Sequence, residues 1–167
     1  MLESPFRKEL EKALIPQLFR FYECQVKAMS PLIVDEMVEE NRLVTEYSQL
    51  MAGMTFDFKG EQLPLSMLRR YMQDDDRDVR RQAYETLGKT LKAHAQSLDS
   101  IYDSLVKVRD RMAKKMGYKN FVELGYYRMN RLSYDAKMVE KFRQNVLKYI
   151  VPAVSRLKTE NAKRMGI

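Results

Sequence analysis

The chain has 167 residues, enough for one domain with a real hydrophobic core. It is 45% hydrophobic and 32% charged, with only 6 glycines and 5 prolines, which is typical of a folded, helix-rich protein. No run of about 18 apolar residues occurs, so no transmembrane helix is predicted, and the polar N-terminus does not support secretion. A single cysteine, Cys24, excludes an intramolecular disulfide, and we expect a reduced, cytoplasmic protein.

The formal net charge of +7 is unevenly distributed. Residues 1–60 contain ten acidic and seven basic side chains, whereas residues 137–167 contain eight basic and two acidic ones. A basic C-terminal helix could bind nucleic acid or an acidic partner. No base-reading or single-strand-binding motif accompanies it. We therefore expect no nucleic acid partner and favour a solvated face, or one that packs near the acidic run at residues 35–40.

Proline marks the start of each helical stretch in the first third of the chain. Ser4 and Ser30 each precede a proline, the pattern of an N-cap followed by proline in the first turn. Pro16 interrupts the apolar periodicity between these two starts. The third stretch ends near Gly53.

The apolar period then changes from helical to strand spacing. Met54, Phe56 and Phe58 alternate with polar residues, and Gly60 can supply the positive φ of a two-residue turn with Lys59. Residues 54–64 are therefore predicted to form a small β-hairpin, and Ser66 is predicted to cap a short helix after it.

The longest uninterrupted apolar stripe runs from residue 74 to residue 116. Its apolar side chains recur every three or four residues, which predicts a single helix on the order of 60 Å long. Aspartates at 74–76 suit its N-terminus, Gly117 suits its C-terminus, and Gly88 is its weak point. The predicted fold class is all-α, a helical bundle-like array around one long central helix with a small hairpin at 54–64. We expect it to form a single domain, 1–167.

The last third of the chain is predicted to hold two further helices. Asn120 is expected to cap the first and Ser133 the second, and Pro152 is expected to kink or divide the second.

Candidate catalytic and metal residues are few. A two-histidine metal motif cannot form, because His94 is the only histidine and lies on the apolar stripe. We interpret Cys24 as a small core residue. The aspartates at 74–76 lack the alternating spacing of a calcium loop, so we interpret them as helix-capping residues. No Gly-rich phosphate loop or Gly-x-Ser-x-Gly elbow is present. We predict no catalytic, cofactor-binding or metal residue, and the substrate-binding residues are unknown.

One segment mixes aromatic and basic side chains in a way that permits two interpretations. Its members are Tyr118, Tyr126, Tyr127, Arg128, Asn130, Arg131 and Tyr134. Such a mixture can stack bases or bind an extended peptide. It can equally be tyrosines that pack inward and arginines that bridge helices, and we favour this structural interpretation.

Several stretches together resemble the oligoendopeptidase F branch of the thimet-oligopeptidase-like zinc metallopeptidases. They are residues 4–12, 40–47, 56–60, 76–84 and, most closely, 114–131, KKMGYKNFVELGYYRMNR. The resemblance covers nearly the whole chain in order.

The resemblance implies a largely helical zinc peptidase that cuts short peptides inside a deep channel. Family members are several times longer, and their zinc ligands come from an H-E-x-x-H helix and a later glutamate in the C-terminal half. None of these residues maps onto this chain, so we transfer none. The resemblance therefore implies only that these helices form channel wall. Because one histidine cannot build the family's zinc site, we expect this fragment to be inactive, and we place residues 125–131 facing an oligopeptide substrate as a separate hypothesis. Its implied partner is the missing catalytic half, and zinc is implied only for the full-length protein.

The alternative is a non-enzymatic helical module that binds a peptide or pairs with itself. Helices that normally meet a missing half would expose apolar faces, which favours a homo-oligomer.

Overall fold

The computed structural model describes residues 2–166, which are predominantly helical with one two-stranded hairpin. In chain order the elements are α1 (Arg7–Ala13), α2 (Pro16–Ala28), α3 (Val34–Gly53), β1 (Phe56–Phe58), β2 (Glu61–Leu63), α4 (Leu65–Tyr71), α5 (Arg77–Ala93), α6 (Ala95–Lys115), α7 (Phe121–Arg128), α8 (Ala136–Asn145) and α9 (Val151–Met165). A 3₁₀ turn (Pro31–Ile33) precedes α3, and a π-helical segment (Val146–Ile150) joins α8 to α9. The predicted fold class is confirmed. Among the described residues, no helix is both long and apolar enough to cross a bilayer.

The described chain divides into two compact units. One contains residues 30–121, and the other contains residues 2–29 together with residues 122–166. The prediction of a single domain over 1–167 is not tested by this division and stays a prediction.

The hairpin forms the centre of the hydrophobic core in the unit of residues 30–121. Its strands are antiparallel, with Phe56 opposite Leu63, and α4 and α5 pack against them. Lys59 and Gly60 both have positive φ, 54° and 82°, as a tight two-residue hairpin turn requires. The predicted turn is therefore confirmed. The buried side chains of this core are Met54, Phe56, Phe58, Leu63, Leu68 and Ala83.

The predicted single long helix is interrupted at one residue. α5 ends at Ala93 and α6 begins at Ala95, because His94 adopts φ −101° and ψ 7°, outside the helical region. The ring Nδ1 of His94 lies 2.9 Å from the carbonyl oxygen of Thr90, so the side chain donates a hydrogen bond to the backbone of the last turn of α5. The expected weak point, Gly88, lies within continuous helix. The long helix is therefore two consecutive helices.

The start of α5 and the end of α6 agree with the capping residues predicted from the sequence. The carboxylate of Asp76 accepts a hydrogen bond from the Asp78 amide and caps α5, and Gly117 after α6 has a φ of +82°. The N-cap predicted at Ser66 is wrong, because α4 already begins at Leu65, after Pro64.

In the unit of residues 2–29 and 122–166, two contacts join α2 to the region of α7. The Cys24 thiol donates to the carbonyl oxygen of Tyr127 at 3.2 Å, and the Gln25 amide donates to Asn130 Oδ1 at 2.6 Å. Arg7 of α1 forms an ion pair with Glu23 of α2. The restart of the helix at Pro16 is confirmed.

The final helical stretch begins two residues later than predicted. Asp135, not Ser133, is its N-cap, because the Asp135 carboxylate accepts a hydrogen bond from the Met138 amide. Pro152 lies in the first turn of α9, directly after the π-helical segment. Because proline has no N–H to donate, the regular α-helical ladder is interrupted there, as predicted.

Candidate functional site

The aromatic and basic segment packs its own side chains together. The guanidinium carbon of Arg131 lies 4.4 Å from the ring centroid of Tyr126 and 5.6 Å from that of Tyr134. Both distances are within the range of a cation–π interaction. The planar guanidinium of Arg131 is therefore held by two aromatic rings of its own segment, which agrees with the structural interpretation.

Tyr127 is likewise occupied by protein contacts. Its hydroxyl donates to Glu123 Oε1 at 3.2 Å, and the ammonium of Lys27 lies 5.2 Å from its ring centroid. Burial, and then the neighbouring Glu123 carboxylate, raise the pKa of Tyr127 above its ordinary value. The phenol therefore remains a protonated hydrogen-bond donor at neutral pH and is unsuited to act as a base.

The stretch predicted to face a substrate, residues 125–131, is not uniformly accessible. Gly125 is buried along with its neighbour Leu124, whereas Met129 and Asn130 are exposed. Asn130 has a φ of +52° and is bonded by Gln25. That residues 125–131 contact a substrate stays a prediction.

A set of ion pairs joins α3 to the second half of α6. Lys115 Nζ lies 2.7 Å from Glu36 Oε1, Arg109 Nε lies 2.7 Å from Glu40 Oε1, and Arg111 pairs with Glu39. Glu36 and Glu40 are buried. The Lys115 ammonium holds the pKa of the Glu36 carboxyl below its usual range, and burial opposes this shift.

These ion pairs show which basic side chains neutralise the glutamates of the acidic run at residues 35–40. The partners described by the structure lie in α6, about 70 to 80 residues away in the chain, and no sequence pattern predicted them. The one available signal was weak: the basic residues of α6 gather in its last two turns, where the helix dipole also favours them.

The described residues do not provide a zinc site. Among them, no group of three or more histidine, cysteine, aspartate and glutamate side chains is placed to hold a metal ion. His94 Nδ1 donates a hydrogen bond to the Thr90 carbonyl oxygen, so that nitrogen is not free to bind zinc. Burial raises the pKa of the Cys24 thiol, which disfavours the thiolate that binds zinc. The zinc implied by the resemblance therefore does not fit this chain's own residues, and we assign it no ligand here.

The three aspartates at 74–76 shape the turn before α5. Asp74 Oδ1 accepts from the Asp76 amide at 3.0 Å, and the Arg80 guanidinium donates to the carbonyl oxygens of Asp74 and Asp75. These contacts agree with the helix-capping role predicted from the sequence.

Comparison with known proteins gives structural neighbours over the full fold. No protein-family model and no curated protein matches the chain. A solved structure assigned as oligoendopeptidase F is 39% identical, with a TM-score of 0.93 over 99% of this chain and 29% of its own. An oligoendopeptidase F from Bacillus anthracis is 45% identical, with a TM-score of 0.91 over 99% of this chain and 30% of its own. PZ peptidase A, solved with an inhibitor, is 43% identical, with a TM-score of 0.93 and the same coverages. The chain therefore spans about 30% of the length of these relatives.

Proposed function

Because the chain belongs to the oligoendopeptidase F family, we propose that it is one helical part of a zinc-dependent peptidase that hydrolyses short oligopeptides. The observation that carries this proposal is the match of 99% of the chain to peptidase structures at 39–45% identity. Identity of this size over nearly the whole of this chain is much stronger support than a shared fold class alone.

Within that enzyme, the chain's own role is structural. Its candidate nucleophile is a buried thiol with a raised pKa, and the guanidinium of Arg131 lies against the rings of Tyr126 and Tyr134. We therefore propose that these helices form wall of the substrate channel, and that the zinc and the groups that activate water belong to the part of the family fold that this chain does not span. By itself the chain is inactive in this proposal.

A second candidate function is a non-enzymatic module that binds a peptide or a second copy of the chain. The observation in its favour is the exposure of three large side chains, Tyr84 on α5 and Tyr102 and Val106 on α6. Apolar surface of this kind is typical of a protein interface. A cytoplasmic location and the absence of a nucleic acid partner stay predictions from the sequence.

The test compares the purified chain with a chimera. The chimera is the Bacillus anthracis relative in which this chain replaces the segment that it matches. We expect no bound zinc and no cleavage of a fluorescence-quenched oligopeptide by the chain alone. The chimera should cleave the peptide and lose this activity with a chelator, and we expect the same of the unaltered relative, which is the parallel control. Stoichiometric zinc and chelator-sensitive turnover in the chain alone would contradict the proposal.

A further inference from the structure

The helical stretch of residues 136–165, which we call the C-terminal helix, buries none of its residues. It comprises α8, the π-helical segment and α9, and no residue of these three segments is fully buried. Among the described residues, no other helix or strand packs against it to more than a marginal extent. An isolated helix gains little stability in water without an apolar face to bury. This stretch therefore requires a covering surface.

The C-terminal helix carries a suitable face. We call this face the apolar stripe, and its members, each 41–66% exposed, are Met138, Phe142, Tyr149, Ile150, Val154 and Leu157. Most of their spacings are three, four or seven residues, which favours one side of the stretch. Leu147, Val151 and Met165 of the same stretch are exposed as well and widen this face. A contiguous row of large apolar side chains is typical of an interface and not of a solvated surface.

The charge of the C-terminal helix argues against a second copy as the covering surface. Residues 137–167 contain eight basic side chains and two acidic ones. One of the acidic ones, Glu140, already pairs with Arg143 of the same helix. Two copies packed through the apolar stripe would bring two strongly positive helices within a Debye length of each other, and this repulsion disfavours self-pairing.

The relatives supply a different occupant. Each is more than three times as long as this chain, since 99% of the chain matches only 29–30% of theirs. Resting on the proposed function, we infer that the apolar stripe is the docking surface for the part of the oligoendopeptidase F fold that this chain does not span. The surface that covers it is apolar opposite Phe142 and Leu157 and carries carboxylates at its rim, facing the lysines and arginines of the C-terminal helix.

Thiol labelling tests this inference in the free chain and in the chimera. Phe142→Cys places a thiol in the apolar stripe, and Thr159→Cys places one on the same helix outside the stripe. Labelling with a maleimide is followed by mass spectrometry of the peptide that carries each position. In the free chain both thiols should react at the rate of an exposed thiol. In the chimera, position 142 should react about 100-fold more slowly, because labelling then requires local opening, while position 159 should change only a few-fold.

Equal labelling of position 142 in the chimera and in the free chain would overturn the inference. Protection of position 142 in the free chain that grows with protein concentration would also overturn it, because a second copy would then cover the stripe. If the chimera does not fold, a cysteine at the position matched to Phe142 in the intact Bacillus anthracis relative gives the same comparison. Phe142→Glu in the free chain should leave its melting temperature and its mass by light scattering unchanged.

Failure of the docking surface and failure of the proposed function give different results. Protection at position 142 in a chimera that cleaves no peptide would contradict the proposed function and leave the docking surface standing. Cleavage by a chimera that labels freely at position 142 would do the reverse.

Discussion

Arg109 Nε donates a hydrogen bond of 2.7 Å to Glu40 Oε1, and this pair joins α6 to α3. The two side chains differ in their surroundings, since that of Glu40 is 6% exposed and that of Arg109 is 39% exposed. The buried carboxylate has lost most of its hydration and is stabilised by protein partners instead, whereas the guanidinium keeps part of its hydration. Pairs with one buried member are more sensitive to disruption than pairs on the surface.

Replacing Arg109 should therefore cost more than replacing the arginine of an exposed pair. We expect Arg109→Ala to lower the free energy of unfolding by about 1–3 kcal/mol, because it leaves the Glu40 carboxylate buried without this partner. The matched control is Arg42→Ala, whose partner Glu46 is 50% exposed, and it should cost less than about 1 kcal/mol. Urea unfolding followed by circular dichroism at pH 7 measures both. Equal losses in the two variants would contradict the special position of the Glu40 pair.

The Glu36 carboxyl should make stability depend on acid pH. Its hydrogen bond with Lys115 lowers its pKa in the folded chain, so folding is favoured by this group above the unfolded pKa of about 4.3. The contribution is lost as pH falls from that value through the lower folded pKa. We expect the urea midpoint of the wild-type chain to decrease across this range.

Glu36→Gln should flatten that part of the pH profile, because the amide does not titrate. The midpoint of this variant at pH 7 should lie below that of the wild type, and the two should converge in acid. Glu61→Gln, at an exposed position of β2, is the control and should follow the wild-type profile. Parallel wild-type and Glu36→Gln profiles would show that Glu36 contributes no such linkage.

The hairpin core should be the most sensitive place for a single truncation. Phe56 of β1 is fully buried in the core of its unit, and Phe56→Ala removes its ring and leaves a cavity among the neighbouring side chains. We expect a loss of about 3–5 kcal/mol in the free energy of unfolding. Asp57→Ala, the exposed neighbour in the same strand, should change it by only about 0.5 kcal/mol. Denaturant unfolding compares the two, and a similar loss in both would argue against the hairpin as the core.

The thiol of Cys24 should react slowly in the folded chain. Burial raises its pKa, and the thiol donates to the Tyr127 carbonyl, so little thiolate is present or accessible at pH 7. We expect reaction with a disulfide reagent to be about 100-fold slower in buffer than in guanidinium, since native labelling requires local opening. The Thr159→Cys variant supplies an exposed thiol for comparison. Immediate stoichiometric reaction of the wild-type chain in buffer would contradict a buried thiol.

Features that depend on neighbouring residues could be predicted from the sequence. The alternation of Met54, Phe56 and Phe58 gave the buried face of the hairpin, and Gly60 gave its turn. Ser30 caps the 3₁₀ turn as expected, and Gly117 ends α6. Each of these rests on a backbone conformation or a hydrogen bond within a few residues, so local physical chemistry is sufficient.

The choice between two local candidates needed the structure. Both Ser133 and Asp135 can cap a helix, and the path of the chain into α8 selects Asp135. Gly88 and His94 could each interrupt the long helix, and the interruption occurs at His94, whose ring reaches the Thr90 carbonyl. Glycine is a weaker helix former than alanine by about 1 kcal/mol, yet the helix continues through Gly88.

Periodicity and local turn chemistry were sufficient to predict the helical regions and the hairpin, and particular stretches carried the resemblance to the family. Which distant side chains meet could be seen only in the folded chain. Lys115 and Glu36 are 79 residues apart, and no sequence pattern in either helix predicts that the two side chains meet. Burial of a carboxylate becomes tolerable only where packing brings a cation within hydrogen-bonding distance, and that proximity is a property of the folded chain.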